Sequence, residues 1–255
     1  MSPVVLVFDV AADLAMFRKS YTTTSQVSYA FPPPTAVAGL LAAIAGIDHG
    51  AGEGCKNAAF WQALAGCRVA VGLKNPLRWV STTVNLIKYK TPNGSMGEHI
   101  QSKHQLVKNP RYRIYVSGGE IYAEVKKRLE RNEFIFTPYL GVAYALADIT
   151  YVGEYRESII NDKETWVDTI VPLYRGVQPD IQRCRGIHRE LVPFRMDNKR
   201  ELLKTVTVIY PEIKTASAEA TGKDAGWDCR LWLKDKGELE VFQVAGERVC
   251  WFECW

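Results

Sequence analysis

From Val4 to Val10 the chain is apolar except for Asp9 and rich in β-branched residues. A short run of this kind predicts a buried strand. It is followed by a polar loop from Ala11 to Tyr29, holding Arg18-Lys19-Ser20-Tyr21 and the hydroxyl run Thr22-Thr23-Thr24-Ser25. Pro32-Pro33-Pro34 then precede Thr35 to Gly46, an uncharged segment that is apolar nearly all round. Proline suits a first helical turn, because its missing N–H would have no helical partner there. The segment predicts a helix covered on most sides, with Gly39 tightly packed and Gly46 as C-terminal cap.

Arg68 to Leu73 and Arg78 to Lys90 each read as strands, and Thr91 to Asn109 as a long polar loop with a Pro92-Asn93-Gly94 turn. Arg111 to Val116 alternates long polar and apolar residues, as a half-exposed strand does. Ser117-Gly118-Gly119-Glu120 has the form of a capping box opening a helix to about Asn132, with Ile121, Tyr122, Val125 and Leu129 as its apolar stripe. Phe134 to Tyr155 reads as a turn at Pro138-Tyr139-Leu140-Gly141 and a strand from Val142 to Tyr151. The order strand, helix, two strands, helix, strand predicts an α+β chain with a ferredoxin-like βαββαβ domain over residues 1–155. The loop between its middle strands exceeds ordinary hairpin length, which marks a functional segment.

Residues 156–255 predict a β-rich region, packed on the first sheet or separate. Short strands are expected over Thr165–Leu173, Thr205–Tyr210, Cys229–Leu233, Leu239–Val244 and Val249–Cys254, with a small-residue linker over Ser217–Gly226.

Composition narrows the function. No stretch reaches the roughly 18 apolar residues of a membrane span, and the first residues read as a strand rather than a signal peptide, so a cytoplasmic chain is expected. The six cysteines form no CxxC pair and the four histidines show no HExxH or HxH spacing, so no metal and no cofactor are expected. Phosphate-binding glycine loops and a GxSxG elbow are absent.

The net charge of +4 is unevenly spread. Residues 86–113 hold six basic side chains (Lys88, Lys90, Lys103, Lys108, Arg111, Arg113) against Glu98 alone. Residues 175–200 hold seven against three acids, and Arg18 and Lys19 add two more against none between 14 and 34. A positive field on an otherwise acidic chain points to a polyanion. Lys88-Tyr89-Lys90 and Arg111-Tyr112-Arg113-Ile114-Tyr115 flank the long loop. Cationic grooves with aromatic faces are how single-stranded nucleic acid is held.

Three segments in order resemble the fifth family of CRISPR-associated proteins, in its type I-B branch. They are Val27–Gly46 (VSYAFPPPTAVAGLLAAIAG), Lys108–Tyr115 (KNPRYRIY) and Phe136–Asp148 (FTPYLGVAYALAD). The resemblance spans residues 4–155. It implies an RNA-recognition-like domain with an inserted thumb over about 88–113, in a non-catalytic subunit that holds the guide-RNA 5′ handle in a Cascade complex. The implied partners are that guide RNA, the backbone and large subunits and, indirectly, target DNA. Arg18, Lys19, Tyr21 and Tyr29 would line the handle site. The thumb, with Lys88, Lys90, Lys103, His104, Lys108, Arg111 and Arg113, would follow the RNA, and Tyr139 and Gly141 would shape the neighbouring turn.

A type I-C branch of the same family cuts precursor RNA with a tyrosine, a lysine and a histidine. Tyr29, Lys103 and His104 are the possible matches here, giving a metal-independent endoribonuclease as the alternative. A protein-only scaffold, with its 12 Tyr and 7 Trp as interface anchors, is the reading from a different class.

Overall fold

The computed structural model describes residues 3–22, 25–50, 58, 60–87, 99–184, 186–212 and 229–255. Strands β1 (Val4–Ala11), β2 (Arg68–Leu73), β3 (Trp79–Ile87), β4 (His99–Lys108), β5 (Arg111–Ser117) and β6 (Asp148–Arg156) form the first half with helices α1 (Pro34–Ala45) and α2 (Tyr122–Arg131). The central sheet runs β6-β1-β5-β2, antiparallel throughout. This is the ferredoxin-like arrangement expected from the element order, with β3 and β4 inserted between its second and third strands.

Both helices lie on one face of this sheet. Leu6, Phe8, Tyr112, Ile114 and Val71 from the strands share a core with Val37, Leu41 and Ile44 of α1 and Val125 and Leu129 of α2. The opposite face, carrying Val5, Val7, Ala70 and Tyr115, is covered by Val244, Val249 and Trp251. Burial on both faces explains why β1 is a continuous apolar run rather than an alternating one. It also closes the sheet surface on which an RNA-recognition domain stacks bases.

The second half supplies that cover. Strands β7 (Ile187–Met196) and β8 (Leu202–Pro211) form a long hairpin, followed by β9 (Leu231–Asp235), β10 (Val241–Val244) and β11 (Glu247–Cys250). Val192, Phe194 and Tyr210 of the long hairpin join the first core, so residues beyond 155 pack directly on the ferredoxin-like half. The segment Ser217–Gly226, expected to be a linker, lies outside the described residues.

Several sequence expectations are corrected. His99–Lys108 is a strand, so most of the supposed polar loop is the second arm of a β-hairpin. The seven-residue β5 follows it through a turn at Asn109, whose φ of 47° is left-handed. α2 starts at Tyr122 with no side-chain cap, because the Ser117 hydroxyl donates instead to the Val4 carbonyl at 3.0 Å. The last strand of the central sheet begins at Asp148, not Val142, and residues 142–147 are bends and a turn closed by a single bridge from Leu146 to Tyr139. β7, with its mixed charges and a proline, gave no clear period in the sequence and was not expected at all.

α1 begins after Pro33 and ends at Gly46 in the left-handed region, as expected. Its packing differs from expectation at Gly39, which is exposed, with nothing within 4 Å of where a Cβ would lie. Ala36, Gly39 and Ala43 instead line an open cleft of about 650 Å³ together with Phe136 and Tyr139.

Candidate nucleic-acid interface

The inserted hairpin leaves the body at a well-anchored base. β3 and β4 pair from Trp79 opposite Val107 to Ile87 opposite His99. Leu106 and Val107 are buried, whereas Ser81, Thr82 and Thr83 on β3 are exposed. The reversal into β5 is pinned by Asn75. Its side-chain amide donates to the Asn109 carbonyl at 2.6 Å and its oxygen accepts from the Arg111 N–H at 3.0 Å.

The loop after β1 is zipped along β4. Leu14 and Ala15 pair antiparallel with Lys108 and Val107, and Ser25 and Gln26 pair parallel with Lys103 and His104. Between these contacts lies the Arg18 segment. Phe17–Arg18 pairs with Ser28–Tyr29, and the Phe17 N–H donates to the Ser28 hydroxyl at 2.9 Å. The turn at 138–141 supports it from beneath, with the Met16 N–H donating to the Leu140 carbonyl at 3.1 Å. Gly141 sits at φ 83°, and a Cβ there would overlap the Met16 carbonyl oxygen and lie 2.7 Å from its carbon. Only glycine fits both the dihedral and the space.

Arg18, Lys103 and Lys108 are therefore exposed on one ribbon, and Tyr21 stands 71% exposed beside it. None of these three cations meets a carboxylate among the described residues. The Arg18 guanidinium donates to the Thr22 carbonyl at 3.0 Å, keeping it on the loop. Lys19 is different: it is ion-paired to Glu190 on β7 and lies 5.2 Å from the Tyr29 ring centroid. Its charge is spent inside the molecule. Tyr29 is itself only 4% exposed, and burial, with Tyr21 and Glu190 adding to it, pushes its hydroxyl up to about 12.

His104, unlike Lys103 and Lys108 on the same strand, is buried. Nδ1 lies 3.3 Å from the Tyr144 hydroxyl, and Nε2 has no hydrogen-bond partner among the described residues. Burial lowers its pKa below the ordinary histidine value, and the nearby positive charge of Arg18 lowers it further. The ring is neutral at pH 7, with a free nitrogen next to the cationic ribbon. Tyr144 was not expected in the site, because it falls in a run that reads as a strand.

Other expected residues lie elsewhere. Arg113 projects from the covered face of the central sheet. It donates to both Asp9 oxygens at 2.7 and 2.8 Å and to Glu247 of β11 at 3.0 Å. That site is a brace between sheet and C-terminal strands rather than part of the ribbon. Arg111, two residues earlier on the same face, is exposed. Tyr139 is 46% exposed and lines the cleft beside α1. Lys88 and Lys90 lie outside the described residues.

A family model described as CRISPR-associated protein (Cas_Cas5) matches residues 5–172, from β1 to beyond β6. The chain belongs to this family. No curated protein sequence matches it. Among solved structures it is similar to a CRISPR protein from Archaeoglobus fulgidus. That likeness has 16% identity and a TM-score of 0.54, covering 97% of this chain and 98% of the other. It is also similar to a chain of a CRISPR RNA-guided surveillance complex, at 14% identity and a TM-score of 0.52, covering 81% of this chain and 89% of the other. At these identities the likeness shows a shared fold, which for this Cas5-family chain extends well past residue 172 into the C-terminal strands. Among the described residues no helix is long and apolar enough to cross a membrane.

Proposed function

We propose that this chain is a non-catalytic RNA-holding subunit of a type I CRISPR effector complex, gripping the 5′ handle of the guide RNA. The observation that carries the reading is the zipper of residues 14–15 and 25–26 onto β4, which places the exposed Arg18, Lys103 and Lys108 along one ribbon, where they meet no carboxylate among the described residues. Free cations on a rigid element, with an exposed tyrosine beside them, suit a phosphate backbone and an unstacked base. The fold shared with a chain of an RNA-guided complex supports the same assignment. The guide RNA and neighbouring subunits of that complex are the partners this reading requires.

One observation favours a second reading, RNA cleavage by this chain. His104 Nε2 is a buried, unpartnered nitrogen on a neutral imidazole, adjacent in sequence to Lys103. An imidazole nitrogen can take the proton of a ribose 2′-hydroxyl, but here that requires displacing the loop that covers His104, and Lys103, the adjacent position on β4, projects to the opposite, exposed face. Tyr29 would contribute little, with its ring in the core and its hydroxyl held protonated.

The test incubates the purified chain with labelled repeat RNA in EDTA. Salt-sensitive binding without cleavage is expected. Cleavage at one position, abolished in His104→Ala, would replace the holding role with processing. Absence of RNA binding at low salt would overturn both.

A further inference from the structure

Long open sheet edges are templates for unwanted pairing, and folded chains blunt them with charge, proline, bulges or a covering segment. Three long edges here are blunted. On β6 the register shifts where it passes Val7 and Phe8, and the strand carries Asp148, Glu154 and Arg156. β7 carries Pro193, the three charged residues Arg189, Glu190 and Arg195, and two register shifts. β2 is covered: Ile170 N–H donates to Val71 at 2.8 Å, Phe252 N–H to Val69 at 3.0 Å and Trp255 N–H to Cys67 at 2.9 Å.

Among the described residues the outer edge of β3 has none of these devices. Its nine residues, Trp79 to Ile87, include no charge, no proline and no glycine, and pair without a register shift. Among the described residues its only ladder partner is β4, on the inner side. Leu86 and Trp79 are 40% and 44% exposed, so the strand is bare on its side chains as well as its backbone.

We propose that this edge is a docking site for an extended strand of a neighbouring protein subunit, added to the β3–β4 sheet by backbone hydrogen bonds. The inference rests on the reading of the chain as a subunit of a multiprotein particle. Among the described residues the outward N–H and C=O groups of β3 have no ladder partner, and a row of such groups specifies an extended polypeptide. An RNA strand is disfavoured, because no cation lies between Trp79 and Ile87 to meet its phosphates. The alternation of β3 sets the incoming side chains. Apolar residues would face Val80, Val84 and Leu86, and polar ones Ser81, Thr83 and Asn85.

The experiment compares amide hydrogen exchange over 79–87 in the chain alone, the chain with guide RNA, and the assembled complex. About half of the strand's amides face outward, and these should exchange on the order of tenfold or more slowly in the complex only. Protection by RNA alone would overturn the proposal in favour of an RNA contact. Protection in the chain alone, with dimers in sedimentation, would overturn it in favour of a second copy. Thr83→Pro and Val84→Pro test it by mutation, since neighbouring amides point to opposite edges. The one that leaves β4 exchange and RNA binding unchanged should lose complex incorporation about tenfold; normal incorporation of both would overturn the proposal. A chain that binds no RNA yet shows edge protection in the complex would refute the RNA-holding role and leave this inference standing.

Discussion

Gly141→Ala tests how the Arg18 segment is held. At φ 83° a non-glycine residue costs about 1–2 kcal/mol. The new methyl also overlaps the Met16 carbonyl, whose backbone is fixed by its N–H bond to Leu140 at 3.1 Å. Displacing packed backbone costs about 1–3 kcal/mol more. The sum, about 2–5 kcal/mol, is a large share of the roughly 5–15 kcal/mol that holds a domain together. Equilibrium urea unfolding should show the midpoint lowered by about 1 M or more. Because Met16 carries Arg18 with it, RNA affinity in filter binding should fall about tenfold, equivalent to about 1.4 kcal/mol. Gly39→Ala is the control: it sits mid-helix with open space at the Cβ position, so alanine should stabilise by about 0.5–1 kcal/mol. An unchanged midpoint in Gly141→Ala, or a loss in Gly39→Ala equal to it, would refute the reasoning.

Lys103→Ala with Lys108→Ala should weaken RNA binding and flatten its log–log salt dependence by about 0.7 per lost phosphate contact, while stability stays within about 0.5 kcal/mol. Arg113→Ala should do the reverse, costing about 2 kcal/mol in urea unfolding by stranding Asp9 and the 20%-exposed Glu247, with the salt slope unchanged. Burial opposes ionisation of Glu247, but hydrogen bonds from Lys74 and Tyr115 and the charges of Lys74 and Arg113 hold its pKa below the ordinary 4.5. Its contribution is therefore fully present above pH 4.5 and lost as pH falls through the lower folded value; Glu247→Gln should flatten that acid limb in pH-dependent unfolding.

The sequence made the ferredoxin-like half readable because its signals are local. An uncharged apolar segment between a triple proline and a glycine can only be a helix with a left-handed cap, and α1 is that helix. The capping box failed because the Ser117 hydroxyl had a better partner in Val4, 113 residues away. β4 was missed because its alternation is set by what it pairs with rather than by an apolar period.

Sequence alone also determined the basic, aromatic-flanked character of the insertion and, through three ordered segments, the family. Tertiary structure decided which cations are available. Arg18 and Lys103 meet no carboxylate among the described residues, while Lys19 and Arg113 are paired with Glu190 and with Asp9 and Glu247. A charge count cannot distinguish these cases, because the acids lie 104 to 171 residues away along the chain. The same holds for His104, whose neutrality comes from burial beneath a loop zipped to its own strand. Propensity and pattern fix elements from neighbours in sequence; the electrostatic state of a side chain depends on neighbours in space, which only the folded chain supplies.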